Sequence, residues 1–148
     1  MLNSAERKNL HERISTFTKG ECFDAYKFLG CHKAKKGFVF RTWAPNAKSV
    51  KVVGDFNGWD TNSPEMHLLD GGIWEIKIPD AKIFDNYKFY IETIDGRHIY
   101  KTDPYAFHTC TPPETAGKVY DFSKFKWTDG EYLKEKKKNC IYLMKHFL

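Results

Sequence analysis

An all-β antiparallel sandwich is the fold this sequence predicts, and three observations carry the prediction. Short runs of β-branched and aromatic residues recur along the chain, each closed by turn residues. Asp95-Gly96 stands between two such runs and is a strong hairpin signal. Aromatics make up 16% of the residues, a share that suits packing on pleated surfaces. With 148 residues the chain is long enough for one domain with a sizeable core.

The elements follow in order. Residues 3–17 read as a helix, because Leu10, Ile14 and Phe17 recur at helical spacing among charged residues. Ser4 is the expected N-cap, and Gly20 ends the element. A short helical turn is expected over Phe23 to Leu29. Strands follow at Phe38 to Trp43 and Ser49 to Asp55, with a turn at Pro45-Asn46 between them. After a long loop comes Ile73 to Pro79, where Trp74, Ile76 and Ile78 share one face and Glu75 and Lys77 the other. Tyr87 to Ile94 puts Tyr87, Phe89 and Ile91 on one side and Lys88, Tyr90 and Glu92 on the other. Arg97 to Lys101 returns from the hairpin, and Lys118 to Phe122 is the last strand. Residues 1–35 are thus expected to form a helical leader, 36–122 the sandwich and 123–148 a basic, then apolar, tail.

Charge and cysteine usage narrow the function classes. The net charge is +5, and part of the excess sits in two runs, Lys33 to Lys36 and Lys134 to Lys138. Without a nucleic-acid-binding motif, such runs read as solvated loops or ends, so no nucleic-acid partner is expected. No stretch is long and apolar enough to cross a membrane, and the charged N-terminus lacks the core of a signal peptide. The four cysteines, Cys22, Cys31, Cys110 and Cys140, show no metal-ligand spacing. Reduced thiols, a cytoplasmic location and no cofactor are therefore expected. No nucleophile elbow, zinc-protease helix or phosphate-binding loop is present. Glycoside chemistry needs two carboxylates across one cleft, and the sequence does not show that any two converge.

The most informative segment is FRTWAPNAKSVKVVGDFNGWD, Phe40 to Asp60. It ends in a turn that holds Trp59 among Asn57, Gly58 and Asp60. An indole is flat and apolar, as is the C–H face of a glucose ring, and neighbouring polar groups can meet the hydroxyls. Trp59 and Asn57 are accordingly candidate carbohydrate contacts. Lys88 joins them if its strand face shares that surface. Burial of Trp59 in the sandwich core is the competing reading. Asp55 and Asp60 read as turn formers.

Several motifs occur in register: WAPNAKSVKVVGDFNGWD, GIWEIKIP, YKF, DG, KTDPYA and PPETAGKVYD. Together they resemble the N-terminal carbohydrate-binding module of glycogen-branching enzymes, within carbohydrate-binding module family 48. The resemblance runs from about Tyr26 to Trp127, and DGEYL resembles the linker toward the family's catalytic barrel. It implies an immunoglobulin-like β-sandwich that binds α-1,4/α-1,6 glucan without catalysis. A catalytic (β/α)8 barrel of glycoside hydrolase family 13 is the second partner it implies; none of that barrel's segments is found in this sequence. Trp59 matches a platform Trp of glycogen-binding members, and Lys88 a Lys that contacts sugar hydroxyls. A second platform Trp aligns with His98, and a sugar-binding Asn aligns near Tyr120; both positions depart from the family's pattern. The DPYA segment, Asp103 to Ala106, suits a rigid docking interface. Two other readings stay open: a docking module with little sugar affinity, and a glycogen-targeting regulatory subunit.

Overall fold

The computed structural model describes residues 4–126 and 128–136. Among the described residues a helix, α1 (Ser4–Thr18), precedes nine strands: β1 (Gly30–Lys33), β2 (Phe38–Trp43), β3 (Ala47–Gly54), β4 (His67–Leu68), β5 (Ile73–Ile78), β6 (Asn86–Thr93), β7 (His98–Lys101), β8 (His108–Thr109) and β9 (Gly117–Lys118). They form two sheets, β1-β2-β5-β4 and β3-β6-β9-β8, with β7 also paired to β6. Every strand pairing is antiparallel. The all-β sandwich expected from the strand pattern is the observed architecture.

Alternation explains the core. Phe38 and Phe40 of β2, Val50 and Val52 of β3, Trp74 and Ile76 of β5, and Tyr87 and Phe89 of β6 all point between the sheets. Ring contacts knit them: Phe40 and Tyr87 meet edge-on at 4.9 Å. The indole N–H of Trp74 donates to the Ala44 carbonyl at 3.0 Å, so its one polar atom is satisfied in the interior.

The first sheet is covered on its outer face as well. Ile73, which alternates with Trp74, is fully buried against Ile14, Phe28 and Leu29 of the leader, with Leu10 and Phe17 packed alongside. The stripe read as amphipathic is thus the one that docks. Beneath it, Arg41 stands opposite Glu75 in the β2–β5 register and donates to its carboxylate at 2.5 Å. A further Arg41 N–H reaches the Phe28 carbonyl at 3.3 Å, which ties the leader to the sheet.

Three strands escape the sequence pattern: β1, β4 and β8. Gly30–Lys33, placed in the leader by the sequence reading, pairs with β2 at the sheet edge. Gly30 opens it with φ +94°, and a Cβ there would stand 2.8 Å from the Tyr105 carbonyl oxygen. Only glycine fits that close approach in that backbone region. The last strand is shorter than expected: it stops at Lys118, and Phe122 begins a 3-10 turn. Tyr120 and Phe122 leave the ladder because their rings join an aromatic cluster with Phe84, Phe107 and His108.

The DPYA segment is engaged within the domain. Asp103 is buried, and its carboxylate accepts from the Tyr87 hydroxyl at 2.6 Å and the Tyr105 N–H at 2.8 Å. Tyr105 packs on the leader cluster. Residues 130–136 form a helical stretch, and the apolar terminus over Ile141 to Leu148 lies outside the described residues. No described helix is long and apolar enough to cross a membrane.

Candidate functional site

The Trp59 turn grows from the end of β3. Asp55–Asn57 form a 3-10 turn, and Gly58 and Trp59 follow with φ of 61° and 62°. Gly58 takes the left-handed conformation without steric cost. Trp59 does not: a bulky residue there is strained by about 1–3 kcal/mol. Two hydrogen bonds hold it. Its backbone N–H donates to the Gly54 carbonyl at 2.9 Å. Its indole N–H donates to Asp55 Oδ1, also at 2.9 Å. With 37% of its surface exposed, the ring is not a core residue.

Asp55 does more than form a turn. Its second oxygen accepts the backbone N–H of Asn86 at 2.8 Å, which anchors the turn to the first residue of β6. That bond sets Trp59 beside Lys88, two residues further along the same strand. Lys88 projects from the outer face of the second sheet and donates to Thr115 Oγ1 at 2.8 Å. Asp55, Trp59, Asn86 and Lys88 make one side of an open cleft of about 500 Å³, and the 113–116 loop makes the other. The cleft offers an aromatic ring, an ammonium donor and the carboxylate of Glu114. This is the mixed apolar and polar lining that a sugar ring needs.

The other expected contacts fall elsewhere. Asn57 lies in the same turn, but its amide braces the backbone: Oδ1 accepts from the Gly54 N–H at 2.9 Å and Nδ2 donates to the Val52 carbonyl at 3.1 Å. Tyr120 does not line this cleft. It belongs to the aromatic cluster and lines a separate hollow with Tyr26, His32 and Phe107. His98 sits on β7, and its ring lies flat on Tyr90, with centroids 5.3 Å apart and planes 7° from parallel.

Sequence reading missed Asp55, Asn86, Glu114 and Thr115 as cleft residues. Only the β3–β6 pairing and the return of the 113–116 loop bring them to Trp59, so no local signal marks them. Among the described residues, no group of three or more His, Cys, Asp or Glu is placed to hold a metal ion.

Comparison with known proteins gives this fold a family. Residues 28–106 match the family model of carbohydrate-binding module 48 (isoamylase N-terminal domain). The 1,4-alpha-glucan branching enzyme of Butyrivibrio fibrisolvens is 47% identical over 121 residues, which cover 78% of this chain and 19% of that enzyme. The corresponding enzyme of Francisella tularensis subsp. novicida is 39% identical, with 96% of this chain and 24% of that enzyme covered. The chain thus spans about a fifth to a quarter of the length of these curated relatives and corresponds to part of such an enzyme, not to the whole. Among solved structures, a pullulanase from Bacillus acidopullulyticus is 25% identical, with a TM-score of 0.56 over 70% of this chain and 13% of that one. The pullulanase of Anoxybacillus sp. LM18-11, solved with maltotetraose, shares the fold at 21% identity and a TM-score of 0.60, covering 76% of this chain and 16% of that one. Residues 28–106 run through the sandwich and include Trp59, Lys88 and His98, and on this match the chain belongs to carbohydrate-binding module family 48.

Proposed function

We propose that this module binds α-glucan without catalysis, at the cleft between Trp59 and Lys88, as the equivalent of the N-terminal part of a glycogen-branching enzyme. The carrying observation is the strained, hydrogen-bonded presentation of Trp59 toward an open cleft. A residue held in an unfavourable backbone region, on the surface, is a common mark of a functional position. The indole face stacks on the apolar face of a glucose unit, while Lys88 donates to a hydroxyl and Glu114 accepts from one. Glycogen, with its α-1,4 chains and α-1,6 branches, is the ligand, and glycogen synthesis in the cytoplasm is the setting. One large ring supports only weak binding, with a Kd in the millimolar range, about −4 kcal/mol.

NMR titration of the purified chain with maltoheptaose and glycogen tests the reading. Shifts at the Trp59 indole and at Lys88, absent in Trp59→Ala, are the expected result. An unchanged wild-type spectrum at millimolar sugar overturns it.

A second reading is docking against a catalytic barrel. What favours it is an exposed aromatic ridge, with Phe84 at 56%, Phe122 at 41% and Phe125 at 50% exposure. The chain would then pack through that ridge and show no sugar response.

A further inference from the structure

The loop that walls the cleft opposite Trp59 is organised around Thr115. Its carbonyl oxygen accepts from the Thr102 hydroxyl, and its own hydroxyl accepts from the Lys88 ammonium at 2.8 Å. The residues on either side are fixed too. The Glu114 N–H donates to the Thr111 carbonyl at 3.2 Å, and the Ala116 carbonyl accepts from the Cys110 N–H at 2.9 Å. Ala116 is buried and Thr115 exposed, so the loop is anchored from below and offers the threonine to the cleft.

Lys88 stands between Tyr87 and Phe89, whose rings fill the core, and alternation turns it outward. Two carboxylates line the same cleft, Asp55 and Glu114, and an ammonium beside a carboxylate ordinarily pairs with it. Lys88 does not: among the described residues it takes part in no ion pair. Asp55 has both oxygens engaged, by the Trp59 indole N–H and the Asn86 N–H. Thr115 supplies a neutral acceptor instead. It occupies one of the three donors of the ammonium. A sugar hydroxyl can then meet Lys88 without first displacing a carboxylate.

We infer that Thr115, braced by Thr102, is the positioning residue that aims the Lys88 ammonium into the cleft and keeps it from closing on Glu114. The inference rests on the glucan reading of the cleft. It assigns a task to a loop residue 27 positions from Lys88 in sequence, and a further one to Thr102, which does not line the cleft.

NMR titration with maltoheptaose tests it, on wild type, Thr115→Val, Thr115→Ser, Thr102→Val, Lys88→Ala and the double variant Lys88→Ala/Thr115→Val. Thr115→Val keeps the shape and removes the acceptor. It should weaken binding about two- to twelve-fold, the equivalent of one hydrogen bond, and move the Lys88 ammonium signal in the sugar-free spectrum. Thr115→Ser should recover most of the affinity. Thr102→Val should weaken binding in the same direction. In the Lys88→Ala background, Thr115→Val should weaken binding no further. If it weakens binding there by the same factor as in wild type, Thr115 meets the sugar itself, and the positioning role is wrong while the cleft stands. Full affinity and an unmoved Lys88 signal in Thr115→Val also overturn the role. If wild type binds no maltoheptaose, the glucan reading falls and this role with it.

Discussion

The carboxylate of Asp55 holds the indole of Trp59 with one oxygen and the first backbone N–H of β6 with the other, at 2.9 and 2.8 Å. One side chain thus fixes the platform relative to the strand that carries Lys88. Asp55 is a positioning residue, and Asp55→Ala should lower glucan affinity although it removes no direct sugar contact. Each of the two hydrogen bonds lost costs about 0.5–1.5 kcal/mol, so the domain should still fold. The Trp59 indole N–H signal should move in the sugar-free spectrum, and Asp55→Asn, whose single carbonyl oxygen can replace only one of the two acceptors, should restore part of the affinity. An Asp55→Ala variant with wild-type affinity and an unmoved indole signal would refute this role.

Trp59 itself trades backbone comfort for presentation. In the left-handed region an L-residue with a Cβ is disfavoured by about 1–2 kcal/mol relative to glycine. A Cβ at the neighbouring Gly58 would meet nothing within 4 Å, so the turn is open around it. Trp59→Gly should therefore be more stable than Trp59→Ala by about 1 kcal/mol in urea unfolding, while both lose sugar binding. Equal stability of the two variants would mean that the turn relaxes and stores no strain.

Asp103 makes the stability of the domain depend on pH. Burial raises its pKa above the ordinary carboxylate value, and this outweighs the lowering by the donors Tyr87 and Tyr105. Burial also pushes the Tyr87 hydroxyl well up, so it remains a donor throughout. A raised folded pKa means that the native state binds the proton more tightly than the unfolded chain does. The stabilisation is then complete below the unfolded value of about 3.9 and is lost as pH rises through the folded one. Urea midpoints between about pH 3 and pH 8 should show wild type losing stability relative to Asp103→Asn as pH rises. A difference that does not change with pH would contradict the assignment.

These relationships explain what was legible in the sequence. The strands over Ile73 to Pro79 and Tyr87 to Ile94 were readable because period-two alternation is a local signal that burial then uses directly. The Asp95-Gly96 hairpin was readable from its turn residues, another local signal, since Gly96 takes φ 81° at the turn. Cys31 and His32 gave no such signal: β1 exists because β2 offers it an edge and Tyr105 packs on Gly30. Trp59 and Lys88 could be named one by one from the sequence, but that they line one cleft depends on Asp55 reaching Asn86 across thirty-one positions. Asn57 looked like a sugar contact because amides suit hydroxyls, yet the turn needs the same amide to close on itself. Tyr120 was placed on a strand and proves to be part of an aromatic cluster, where ring packing outweighs β pairing.

The separation of the two sheets leads to a last prediction. The helix α1 covers the outer face of the first sheet through Ile14 and Ile73, whereas the Trp59 cleft lies on the outer face of the second. Ile14 is 4% exposed, so Ile14→Ala should cost about 2–5 kcal/mol by loss of packing and the cavity left behind. Urea unfolding would register that loss, and amide exchange should show the helix opening first, because its contacts are the ones weakened. Sugar affinity should stay at the wild-type value, since neither Asp55, Trp59 nor Lys88 touches the leader cluster. If affinity fell together with helix protection, the leader would be coupled to the cleft through the core, and the two faces could not be treated as independent.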